Sequence, residues 1–164
     1  AIMEKTGHFN IKRAIKKHDA VLGGEMSGHI FINYDWYGFD DAVYTAAILA
    51  KVISDTGQPT ANVIEQFPKT FATPELNLDV DDVKKFKMVE KFKEQMQFPD
   101  AEFNTIDGVR VSIGSSWGLM RASNTSPKLV FRFEAETEEG LKRIINLFES
   151  NLKNIFPELN LDFS

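Results

Sequence analysis

The stretch from residue 102 to residue 136 constrains the fold more than any other. Four segments in it, EFNTID, VRVSIG, WGLMRAS and KLVFRFEAE, hold strand-forming residues in short runs separated by turn residues. In the last of them Leu129, Phe131 and Phe133 alternate with Val130, Arg132 and Glu134, the period of a strand with one face in a core. Asp107-Gly108, between the first two segments, is a hairpin signal because these residue types accept the positive φ angles of a tight turn. Thr137 with Glu138 and Glu139 then opens a helix that carries Leu141, Ile144, Ile145, Phe148 and Leu152 on one face. Ahead of the four segments, LNLDV reads as a strand, and Asp81-Asp82 cap a helix of about residues 83–97. Strand, helix, antiparallel strands and helix make an α+β domain, which is expected to be complete over residues 69–164.

Residues 1–68 follow a different plan. A helix over 9–18 places Phe9, Ile11, Ala14 and Ile15 on one face, DAVLGG reads as a short buried strand, and HIFINYD as a second strand. Asp40-Asp41 suit the N-terminus of a helix running to about Ser54 and stopping near Gly57, and ANVIEQF fits a further helical turn. PKTFATPE, with two prolines and no periodicity, reads as a hinge between the two parts. Two strands and two helices make too small a sheet to bury both faces. The chain also begins at Ala1 rather than at a methionine, so residues 1–68 are expected to be the end of a larger α/β domain.

Composition narrows the function classes. The chain has 164 residues, is 43% hydrophobic and 26% charged, and carries a net charge of −5, which gives no basic surface for nucleic acid. IKRAIKKH and VKKFKMVEKFKEQM have helical spacing and read as solvated helix faces. No apolar run is long enough to cross a membrane, and the first residues lack the apolar core of a secretory signal. With no cysteine, disulfides, thiolate metal sites and cysteine nucleophiles are excluded. A cytoplasmic protein is expected.

Two loops carry chemistry. In GGEMSGH, residues 23–29, glycines free the backbone for a tight turn, and strand alternation would point Glu25, Ser27 and His29 the same way. A carboxylate that accepts two hydrogen bonds, with a hydroxyl and an imidazole beside it, suits the vicinal hydroxyls of a sugar. The competing reading is a loop that satisfies its own backbone. Glu25 and His29 are four residues apart, but the segment is not helical, so no metal ligands are expected in this chain. In RASNTSP, residues 121–127, Arg121 offers a planar fork that matches a phosphate, Ser123 and Thr125 offer hydroxyls, and Asn124 offers its amide. Each charge-assisted bond is worth on the order of 1.5–3 kcal/mol. A plain polar turn is the alternative. His8, just before the first helix, is open between a local cap and a ligand contact. LDVDD has the acids of a magnesium loop, but helix capping explains them better.

TGHFNIK, GGEMSGHIF with YGFDDAVYTAA, TPELN, DGVRV and WGLMRASNTSPKLVFRFEAET stand in the order and spacing of the α-D-phosphohexomutases, which this chain resembles over nearly its whole length. Met26 and Asn124 are similar to the phosphomannomutase/phosphoglucomutase branch; a phosphoglucosamine-type mutase usually differs at both positions. The resemblance implies four domains around one cleft, a phosphoserine on the first and a magnesium ion on the second. A hexose phosphate is converted through a bisphosphorylated intermediate, glucose 1,6-bisphosphate for glucose. It implies that residues 1–68 close the third, sugar-binding domain and that 69–164 form the fourth, a sheet flanked by helices of the TATA-binding-protein-like kind. Glu25, Ser27 and His29 would read sugar hydroxyls, and Arg121, Ser123, Asn124 and Thr125 would hold the phosphate that is not transferred. By the same resemblance His29 takes part in proton transfer and His8 approaches the ligand.

The family's T-x-S-H-N-P serine loop and D-G-D-x-D-R metal loop do not occur in this sequence. The chain alone is therefore expected not to be catalytic, the N-terminal domains being partners it lacks. A stand-alone sugar-phosphate-binding module without catalysis is the alternative of a different class, and a phosphoglucosamine-type mutase is a third reading. The missing part of the third domain is expected to expose a sheet edge near AVLGG and HIFIN and to cause self-association, which light scattering at high concentration would detect.

Overall fold

The computed structural model describes residues 1–161 and 163, and it divides into two compact units, Ala1–Pro68 and Lys69–Ser164. The first unit opens with α1 (His8–His18), then β1 (Leu22–Gly24) and β2 (Ile30–Ile32) as an antiparallel pair, then α2 (Ala42–Asp55) and the short α3 (Thr60–Ile64). Helix α2 starts where the acidic pair predicts, with the Asp41 side chain accepting the Tyr44 N–H. The expectation of a buried first strand is corrected. Val21 and Leu22 are 61% and 60% exposed, and among the described residues of this unit Ile15 and Phe31 are the buried hydrophobics. Two strands cover too little of one another to bury β1. Phe9, placed on the inner face of α1 by periodicity, is exposed as well.

The second unit holds β3 (Phe71–Ala72), β4 (Leu76–Asp79), α4 (Lys85–Gln95), β5 (Glu102–Asn104), β6 (Val109–Ile113), β7 (Ser116–Ala122), β8 (Lys128–Ala135) and α5 (Glu138–Ile155). One antiparallel sheet runs in the order β3-β8-β7-β6-β5, and β4 also pairs with β8. The PKTFATPE hinge is thus partly structured. Phe71 and Ala72 pair with Ala135 and Glu134, the Thr73 hydroxyl accepts the Phe133 N–H, and Pro74, which has no N–H, separates β3 from β4 on the same edge of β8.

Register explains the core. Val109, Met120 and Phe131 lie in one row across β6, β7 and β8, and Val111, Gly118 and Phe133 in the next. These residues share the face covered by Val89 and Phe92 of α4 and by Ile144, Phe148 and Leu152 of α5. Val130, expected on the outer face, is 4% exposed. It sits in a row between Asn77 and Arg121, whose side chains flank it on that face. Helix α4 begins two residues later than predicted because Asp81 Oδ1 accepts the Val83 and Lys84 N–H groups and caps a preceding turn. Among the described residues no helix is long and apolar enough to cross a membrane.

The Asp107-Gly108 hairpin forms, but its connection is longer than two residues, since β5 ends at Asn104. Gly108 has φ 76°, and a Cβ there would meet the Met120 carbonyl oxygen and lie 2.6 Å from Arg121 Cβ. Gly108→Ala is expected to destabilise the unit by about 1–2 kcal/mol from the left-handed backbone alone. It should also shift the amide signals of Met120 and Arg121; an unchanged melting midpoint with unchanged signals would contradict this.

Candidate functional site

Two polar clusters stand out, one in each unit. The first is built on the β1–β2 connection. Glu25 N–H donates to the His29 carbonyl at 2.9 Å and Gly28 N–H to the Glu25 carbonyl at 3.0 Å, with Gly28 at φ 88°. Residues 25–28 are therefore a turn, and strand alternation does not run through them. The expectation that Glu25, Ser27 and His29 share a face by alternation is corrected accordingly. What brings side chains together is the fold. Glu25 Oε1 accepts the Gly7 N–H at 2.6 Å, fastening the turn to the residue that precedes α1, while Ser27 stays exposed at the tip.

Next to this contact, Asp40 gathers two imidazoles. Its Oδ2 accepts from His29 Nδ1 at 2.7 Å and lies 3.4 Å from His8 Nε2, while its Oδ1 accepts the Ile30 N–H at 3.2 Å. The two rings meet edge to face at 4.6 Å, and His8 also packs on Phe31 at 5.3 Å. His8 makes no cap, because the N-cap of α1 is Gly7. A carboxylate only accepts, so His29 Nδ1 carries a proton; in the neutral ring Nε2 is then the acceptor, the arrangement of a positioned base.

Asp40 was not identifiable as a site residue from the sequence. The available signal was that two acids precede α2 where one suffices as a cap. Asp41 takes that role and also accepts from Trp36 Nε1 at 3.2 Å, which frees Asp40 for the imidazoles. Among the described residues, His8, His29 and Asp40 are the cluster whose donor atoms could gather on a metal ion, all within 4.8 Å of one another. The 2.7 Å contact is a hydrogen bond, whereas ligands of a tetrahedral ion with bonds of about 2.0 Å stand roughly 3.3 Å apart. Magnesium takes oxygen ligands in an octahedron, and an imidazole-rich set does not fit it.

The second cluster is the β7–β8 connection. Arg121 and Ala122 belong to β7, so the loop proper is 123–127. Ser123 is 7% exposed, and its Oγ accepts the Thr125 and Ser126 N–H groups at 3.3 and 3.2 Å and bonds the Ser126 hydroxyl at 2.8 Å. The polar-turn reading thus accounts for Ser123 and Ser126. Arg121 projects from the face opposite the core and is half-buried, while Asn124 and Thr125 are exposed. No acidic residue occurs between positions 121 and 128.

Residues 1–71 match the family model described as phosphoglucomutase/phosphomannomutase, alpha/beta/alpha domain III, and residues 75–149 match the C-terminal domain of the same family. The chain belongs to the phosphoglucomutase/phosphomannomutase family. It is 49% identical over 162 residues to a phosphomannomutase/phosphoglucomutase of Pseudomonas syringae pv. tomato, a match covering 99% of this chain and 35% of that protein. It is 45% identical to a phosphoglucomutase of Neisseria gonorrhoeae, over 96% of this chain and 35% of the relative. A solved structure of a phosphoglucomutase/phosphomannomutase family protein from Burkholderia thailandensis superposes with a TM-score of 0.90 at 40% identity, over 99% of this chain and 34% of that one. The chain spans about a third of the length of these relatives, and the family's α+β C-terminal fold is the one described above.

Proposed function

We propose that this chain supplies the sugar-reading and phosphate-holding parts of a phosphomannomutase/phosphoglucomutase, an isomerase that interconverts hexose 1-phosphate and hexose 6-phosphate through a bisphosphorylated sugar. The observation that carries the reading is the state of the loop at 123–127. Ser123 takes up the Thr125 and Ser126 N–H groups from within, and Arg121, Asn124 and Thr125 present donor side chains in a segment without a carboxylate. Donors without competing acceptors suit a dianion. Ser123 then acts by shaping the loop.

In the first unit, Glu25 uses one oxygen on Gly7 and has a second to accept from a sugar hydroxyl, with Ser27 beside it in the turn. His29, oriented by Asp40, moves a proton at Nε2, and His8 borders the same group. The phosphoryl donor and the magnesium ion that neutralises the transferring group belong to parts of the enzyme outside these residues, so this chain binds hexose phosphate without turning it over. The exposed β1 is the surface through which copies would associate.

A calorimetric titration with glucose 1-phosphate and with glucose tests the reading. Binding of the phosphate ester with at least about tenfold preference over the neutral sugar is expected from one or more charge-assisted bonds. Equal affinity for the two, or formation of glucose 6-phosphate by the chain alone, would overturn it.

A further inference from the structure

Lys85 is a buried charged residue that the reading above does not use. It stands at the first position of α4, is 3% exposed, and was legible in the sequence only as part of a solvated lysine-rich face. Its ammonium donates to the carbonyl oxygen of Ser126 at 2.9 Å and pairs with Asp82 Oδ1 at 2.6 Å, beside the Phe86 ring at 5.1 Å. Burying an ammonium is costly, and a site that does so without full neutralisation holds a positive potential. Asp82 is 67% exposed, so solvent screens its share of the pair.

We infer that Lys85 is a positioning residue for the phosphate loop: from the start of α4 it fixes the path of residues 123–127 and sets the affinity of that loop for a phosphate monoester. This rests on the proposed function above. The loop has few other fastenings. The Ser126 carbonyl also accepts the Lys128 N–H at 2.8 Å, the Pro127 carbonyl accepts the Val80 N–H at 3.0 Å, and the remaining bonds run through Ser123. The Lys85 bond ties residue 126 to a helix 41 residues earlier in the chain. It pulls the Ser126 carbonyl toward the protein, which leaves the exposed Asn124 and Thr125 side chains on the ligand side. A carbonyl dipole turned outward instead would repel an anion, and a buried cation behind the loop favours one.

Lys85→Met keeps the volume and removes both donors and charge; Lys85→Arg keeps charge and donors. The methionine variant orphans no buried group, because Ser126 keeps its bond to Lys128 and Asp82 faces solvent. Two readouts are taken on the whole chain at a temperature where each variant is folded: the affinity for glucose 1-phosphate, and hydrogen exchange of the Thr125, Ser126 and Lys128 amides. Lys85→Met is expected to weaken binding by about tenfold or more and to speed exchange at those amides, with Lys85→Arg recovering most of both. A purely structural role would lower the melting midpoint and leave the affinity of the folded chain unchanged, and that result would overturn the inference. If the unmodified chain binds no phosphate ester, the functional reading fails instead. Lys85 is then judged on exchange alone, where protection retained in Lys85→Met refutes its hold on the loop and protection lost supports it.

Discussion

Phe148→Ala is expected to lower the stability of the second unit by about 3–5 kcal/mol, the usual cost of removing a wholly buried phenylalanine. Phe148 has no exposed surface and touches three other rings, with centroids 5.8 Å from Phe92, 5.0 Å from Phe98 and 5.1 Å from Phe133. It is the point where α5, α4 and the sheet meet. The sheet makes room for it at Gly118, where a Cβ would lie 2.5 Å from the Phe148 ring. A glycine in the middle of a seven-residue strand weakens the strand by itself, so the packing of this ring must outweigh that loss. The cavity left by alanine is walled by rings and by sheet backbone, neither of which collapses easily. Urea denaturation followed through the amide signals of β6 to β8 measures the effect. A shift in midpoint at constant slope gives the value directly. A loss below about 1 kcal/mol would mean that the α5 face is not the keystone described here.

Arg121→Ala is expected to weaken glucose 1-phosphate binding by about a hundredfold, since a bidentate charge-assisted contact is lost. The same change should cost the second unit only about 1 kcal/mol, because Arg121 lies half-buried on the face away from the core and its loss uncovers Val130 alone. Arg121→Lys keeps a charge but loses the planar fork, so it should fall between the two. Calorimetry on the three proteins checks the series. Affinity within about twofold of the unmodified chain in Arg121→Ala would remove the loop from the phosphate site.

The parts of the fold that were legible are those that local pattern controls. Alternation in β6, β7 and β8 and the 3.6-residue period of α5 follow from the nearest neighbours in the chain, and the structure contains all four elements. Legibility failed where a distant partner decides. Val130 breaks alternation because Asn77 and Arg121 flank it from two other strands. Phe71 and Ala72 become strand because β8 has a free edge there, a fact invisible in two residues lying between two prolines. The site divides along the same line. Residue types at Glu25, His29 and Arg121 announced hydrogen-bonding chemistry, but Asp40 and Lys85 read as a helix cap and a solvated lysine. Their partners, His29 and Ser126, are 11 and 41 residues away. The turn at 25–28 shows the converse error, a strand rule carried into a segment whose glycines had already marked it as a turn.

The most direct test of the central claim is an amide NMR titration of the chain with glucose 1,6-bisphosphate. Shifts are expected at Glu25, Ser27 and His29 in the first unit and at Arg121 through Thr125 in the second. An unchanged spectrum at these positions, with the ligand in large excess, would contradict the assignment of both loops.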